Sequence, residues 1–276
     1  MKIILKSVAD FFKDDGPLLA GSISYFFVMA IIPFSFIIIA IFGYVLGENR
    51  EFYTFLLNKL LDLFPKATYS ITKELGNIIT FKRIGLFTLL IYGIFSYQLY
   101  SAVERALNII FKITVKRSFI ISILLSISLV TLMIILLLIS FGATSVISMA
   151  KFLDQFFPGL VISRIAGFLI AFVIPLFLII LTTTALYILL PMRRVLFSHA
   201  LLGGLFTAVL IEAAKHVFTF YVASKLYKLG AVYGPISAFI TFLMWVFYAV
   251  SIFLIGAEVV HNLRDRQKQR KTPTRI

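Results

Sequence analysis

The stretch LGAVYGPISAFITFLMWVFYAVSIFLIGA, residues 229–257, runs for 29 residues without a charged side chain. A helix needs about 20 mostly apolar residues to cross the hydrocarbon core of a bilayer. Five more charge-free runs occupy Gly16 to Gly47, Ile84 to Val103, Ser118 to Ala150, Ile165 to Met192 and Val195 to Ile211. The six runs hold 159 of the 276 residues, and all 38 charged residues lie outside them. Only Val195 to Ile211, at 17 residues, falls short of a full span. With 61% hydrophobic and 14% charged residues, the composition lies outside the range of soluble globular chains.

Lipid offers no hydrogen-bond partner to the backbone, so spanning segments are helices or closed barrels. Barrel strands alternate polar and apolar residues. The run Ile134-Ile135-Leu136-Leu137-Leu138-Ile139 does not alternate. The expected fold is therefore all-α: a polytopic membrane protein with six transmembrane helices at about 18–46, 84–105, 118–150, 165–191, 195–216 and 234–257. These form a single domain over residues 1–260 and leave no room for a separate soluble domain, with 261–276 read as a basic cytoplasmic tail.

Lys and Arg set the orientation. Residues 1–15, 104–117, 193–194 and 258–276 carry fifteen of them, against eleven in the longer segments 48–83, 151–164 and 212–228. The higher density on the first side predicts that both termini are cytoplasmic. The net charge of +14 is read as topogenic charge facing anionic headgroups rather than nucleic acid. Absence of cysteine excludes disulfides, thiolate nucleophiles and Cys-based metal sites. The first apolar run is too long for a cleavable signal peptide, and Asp10, Asp14 and Asp15 precede it. Lys2 to Lys13 reads as a short amphipathic helix at the membrane surface, with Ile4, Val8, Phe11 and Phe12 near one face. In the first outer loop, Glu48 to Arg83, Phe52, Phe55, Leu56, Leu60 and Leu63 follow helical spacing up to Pro65, and Tyr69 to Ile79 carries a second pattern. Amphipathic helices there would pack over the bundle or form a lid.

Within the runs, Pro33 and Pro175 are candidate kinks. Ser118, Ser122 and Ser126, with Gly203, Gly204, Gly234 and Gly256, are small residues that let helices approach closely. Ionisable groups at membrane depth are costly, which makes them the default functional candidates. Glu104 and Arg105 close the second run, beside Gln98 and Ser101. Glu212, Lys215 and His216 share a helical face just past the short fifth run, which predicts that this helix continues through them. Glu258 closes the sixth run, where it reads as a substrate group or as a helix end facing Arg264. His216 with Glu212 lacks a third ligand, so no metal and no cofactor is expected. No P-loop, Gly-x-Ser-x-Gly elbow or His-Glu-x-x-His motif occurs, and the Asp10, Asp14 and Asp15 cluster suits helix capping, so no enzyme is expected.

Several of these residues carry a family likeness. Tyr233-Gly234, then Trp245 and Tyr248, then Gly256-Ala257-Glu258 resemble the "YG … W-x-x-Y … GAE" pattern of the YihY/BrkB family of bacterial inner-membrane proteins. The segment Ala20 to Pro33, the Leu107-Asn108 element after Glu104, and Pro191-x-Arg193 followed by Gly203-Gly204 are similar to that family in order and spacing. The resemblance implies a six-span protein of the bacterial inner membrane. Some members are associated with serum resistance, others with movement of envelope lipids or lipopolysaccharide precursors. A ribonuclease label also attached to the family finds no acid cluster or base here to support it.

The resulting expectation is a transporter or flippase-like protein for a lipid or other amphiphilic envelope substrate. Its cavity would be lined by Glu104, Arg105, Glu212, Lys215, His216 and Glu258, with Arg105, Arg193 and Arg194 inside and Lys215 outside holding an anionic headgroup. Membrane lipids, preferentially anionic, are the expected partners. A second copy or an envelope-protein partner is left open. The alternative is a non-transporting scaffold of an envelope complex.

Overall fold

A computed structural model describes residues 2–46, 86–114, 118, 120–126, 128, 173–221 and 227–271. The described residues are helical and contain no strand. The helices are α1 (Lys2–Lys13), α2 (Gly16–Leu46), α3 (Leu86–Ile110), α4 (Ile174–Leu189), α5 (Phe197–Tyr221) and α6 (Tyr227–Lys271), with a helical segment over 120–126. The outer loop Glu48 to Arg83 and most of the expected third span lie outside the described residues. Two described stretches are long and apolar enough to cross a membrane: Phe197–Phe218, with a mean hydropathy of 1.5, and Phe239–Gln267, with 2.2. Gly16–Ile31 and Ile174–Leu189 are shorter apolar helices.

The short fifth run does not end its helix. α5 continues through Glu212, Lys215 and His216 to Tyr221, as its length requires. α2 carries Pro33, which is buried, in its interior. Pro175 is the second residue of α4, and the residues before Val173, on which its expected role as a kink depends, lie outside the described residues. The expected tail also differs. Residues 261–271 continue α6, and Arg264 is only 7% exposed.

The chain divides into two compact units. The first comprises residues 1–14, 104–213 and 252–276, and the second residues 15–103 and 214–251. In the second, Ser24 folds its hydroxyl onto the Ala20 carbonyl at 2.7 Å, and Phe218 packs on Trp245 with ring centroids 5.1 Å apart.

In the first unit, small residues decide how closely α4, α5 and α6 approach. A Cβ on Gly203 would run into Val260 and come to 3.2 Å from the Gly256 carbonyl, and one on Gly204 would overlap Thr184. Tyr187 of α4 is wholly buried between them. Its hydroxyl donates to the Phe253 carbonyl at 2.6 Å and accepts from Thr207 Oγ1 at 2.9 Å, and its ring stacks on Phe253. Gly203, Gly204 and Gly256 all lie where an added Cβ would meet a neighbouring helix.

α3 ends in a Schellman motif. Ile113 N–H bonds the Asn108 carbonyl at 2.8 Å, Lys112 N–H bonds that of Ile109 at 3.0 Å, and Lys112 takes the left-handed position with φ 54°. Asp15, which joins α1 to α2, has the same φ. These two turns aim Asp14 and Lys112 at the same place.

Candidate functional site

The place is a buried polar network in the first unit, built on one face of α6. Glu258, His261, Asn262 and Asp265 follow one another at helical spacings of three and four. Glu258 is fully buried, and His261, Asn262 and Arg264 are 7%, 5% and 7% exposed. α1 closes the network from one side. The amide of Asn262 donates to Ser7 Oγ and to Asp10 Oδ2, each at 3.1 Å. The end of α3 supplies Lys112, whose ammonium pairs with the Asp14 carboxylate.

Glu258 faces this pair. Neither of its oxygens has an N–H or hydroxyl donor among the described residues. Its charged neighbours are Asp14, Lys112 and Asp10. The site therefore sets a buried acid beside an aspartate–lysine ion pair.

Half a turn further, His261 Nε2 lies 3.2 Å from Asp265 Oδ2. Arg264 bonds Asp265 through Nε at 3.3 Å and Nη2 at 3.2 Å, approaches His261 Nδ1 at 3.3 Å, and lies over the Phe111 ring at 5.5 Å. The guanidinium is thus held by a carboxylate and an aromatic face. Its Nη1 is buried with no acceptor among the described residues. Arg264 does not meet Glu258 as the sequence suggests, because Asp265 and Phe111 hold it to one side.

The eight residues singled out in the sequence divide by exposure. Glu258 and Glu212 are buried, Glu104 and Lys215 are partly buried, and Arg105, Arg193, Arg194 and His216 are exposed. Glu258 gathers a described network around it; the exposed arginines do not share that burial. Sequence reasoning missed Ser7, Asp14, Lys112 and Asn262. The available signal was helical spacing: His261, Asn262 and Asp265 extend the Glu258 face beyond the apolar run. No group of three or more metal-ligating acids, histidines or cysteines occurs among the described residues.

Comparison with known proteins places the chain in a family. The model for "Virulence factor BrkB" matches residues 7–275. A UPF0761 membrane protein of Azotobacter vinelandii is 30% identical over 275 residues, covering 95% of this chain and 63% of that protein. A UPF0761 membrane protein of Vibrio vulnificus is 28% identical over 258 residues, covering 92% and 79%. One from Alkalilimnicola ehrlichii is 31% identical over 265 residues, covering 93% and 57%. The chain thus spans about three fifths of the length of the first and third of these relatives. No solved structure matches. A match over nearly the whole chain, joined to apolar helices long enough to cross a bilayer, identifies the chain as a membrane protein of the BrkB family.

Proposed function

We propose that this chain is a multi-pass protein of the bacterial inner membrane, with six spans and cytoplasmic termini, that moves a lipid or other amphiphile of the cell envelope across the bilayer. The observation that carries the reading is Glu258, a wholly buried acid in an apolar helix, facing Asp14 and next to Lys112. A purely structural helix end gains nothing from an acid kept away from donors, whereas a transporter needs a buried group that changes its proton with its surroundings. Glu258 is the proposed coupling residue, because its neighbours are other titratable and charged groups. The exposed Arg105, Arg193 and Arg194 supply cations for an anionic headgroup at the membrane boundary. The reaction is movement, with no bond made or broken.

Purified protein in proteoliposomes tests this by transbilayer movement of fluorescent phospholipid. Wild type moves lipid above background, Glu258→Gln loses that activity, Glu212→Gln weakens it and Arg105→Ala slows movement of anionic lipid. Background movement in all four samples removes the proposal. Movement unchanged by Glu258→Gln removes the assigned role of that residue.

A further inference from the structure

We propose that α1 is a docking helix for a bilayer surface containing anionic phospholipid, and that it uses a face separate from the one closing the Glu258 network. The helix has two working sides. Ser7 and Phe11 are 0% and 4% exposed and turn into the protein, together with Asp10 and Asp14, which bond Asn262 and Lys112. The other side is apolar and open: Leu5 and Phe12 are 64% and 65% exposed, and Ile4 and Val8 are 43% and 36% exposed.

Beside that strip lie Lys2, Lys6 and Lys13, all exposed. At about 100° per residue they fall in a stripe about 40° wide, next to the Leu5 edge of the apolar strip. The one acid of α1, Asp10, is bonded on the inner side, as is Asp14 just after the helix, so every outward charge on the helix is a cation. An apolar strip bordered by lysines is the form in which a helix lies in a headgroup layer, its apolar side chains at the acyl boundary and its ammoniums on phosphates.

Connectivity restricts the occupant further. Only Asp14 and Asp15 separate α1 from the apolar run that starts at Gly16. Two residues span less than about 10 Å, so α1 stays next to the start of that run. A second copy of α1 would bring six lysines together, which like-charge repulsion disfavours. An anionic bilayer meets both halves of the outward face at once. This docking is independent of whether the protein moves lipid.

The chain has no cysteine, so a single one can be introduced and labelled in the full-length protein. Phe12→Cys and Leu5→Cys, each carrying a polarity-sensitive fluorophore, are reconstituted into phosphatidylcholine vesicles with and without phosphatidylglycerol. With phosphatidylglycerol, emission shifts to shorter wavelength and is quenched by shallow lipid-borne quenchers. The shift is lost when Lys2, Lys6 and Lys13 are all changed to Gln, and it falls as salt rises. Water-like emission at both positions in both vesicles overturns the proposal. So does a shift indifferent to phosphatidylglycerol and to the lysines. A shift that tracks the protein-to-lipid ratio instead identifies a second copy as the occupant, and also overturns it.

Discussion

Gly256→Ala places a methyl group where α4, α5 and α6 of the first unit meet. A Cβ there would overlap Thr207 Oγ1, come to 2.5 Å from Tyr187 Oη and to 3.3 Å from Thr207 Cβ. Neither neighbour is a loose end. Tyr187 is wholly buried and fixed by its 2.6 Å bond to the Phe253 carbonyl, and Thr207 is wholly buried on the facing helix. Making room separates the helices or breaks the 2.9 Å bond between Tyr187 and Thr207. Overpacking of this kind costs about 1–3 kcal/mol, and a lost buried hydrogen bond adds about 1 kcal/mol. The better helix propensity of alanine offsets up to about 1 kcal/mol. The net destabilisation is about 1–3 kcal/mol, equivalent to a fall in thermal midpoint on the order of 2–10 °C for a chain of this size. Thermal unfolding of detergent-solubilised protein reads it out. Gly93→Ala is the control, because a Cβ there meets nothing within 4 Å, and its midpoint should hold or rise slightly. Adding Thr207→Ala to Gly256→Ala should recover part of the loss. A midpoint for Gly256→Ala equal to or above wild type, with Gly93→Ala behaving as expected, would refute close approach at this crossing.

Glu258→Gln should leave the thermal midpoint unchanged or raise it, because the amide donates to the Asp14 carboxylate and removes a buried acid lacking donors; a large fall would show that the acid is structural. Asn262→Ala deprives Ser7 and Asp10 of their shared donor. Its cost of about 1–2 kcal/mol should appear as faster amide exchange in residues 2–13 while α5 is unaffected. Arg264→Ala removes both bonds to Asp265 and the contact with Phe111, for a loss of about 1–3 kcal/mol, whereas Phe111→Leu removes only the ring contact and should cost less; equal midpoints for Arg264→Ala and wild type would show the cluster contributes nothing.

The helical class was legible because charge is excluded from long runs, which is a property of solvent rather than of partners. The continuation of α5 through Glu212 was legible for the same reason, since a run of 17 residues falls just short of the usual length of a span. Gly203-Gly204 announced close packing without saying against what, and the answer, Val260 and Thr184, comes from other helices. Arg264 was read as part of a basic tail because a charged stretch after an apolar run ordinarily is one. Its burial depends on Phe111 of another segment, just as Asn262 depends on Ser7, 255 positions away. α1 shows the same limit. The sequence groups Ile4, Val8, Phe11 and Phe12 on one face, and packing divides that face, burying Phe11 and leaving the other three exposed.

The left-handed turn at Lys112 bears on the energetics of Glu258. Glycine at that φ would relax the backbone by about 1 kcal/mol. The Lys112 side chain is 55% exposed, so its pairing with Asp14 alone returns no more than about 1 kcal/mol. On those two quantities lysine and glycine are balanced. The buried acid nearby is what favours the cation, and residue 112 becomes a gauge of it. Lys112→Gly should destabilise the protein while Glu258 is intact and leave its stability about unchanged once Glu258 is Gln, and the difference between the two backgrounds measures how strongly the molecule depends on a positive charge beside its buried carboxyl.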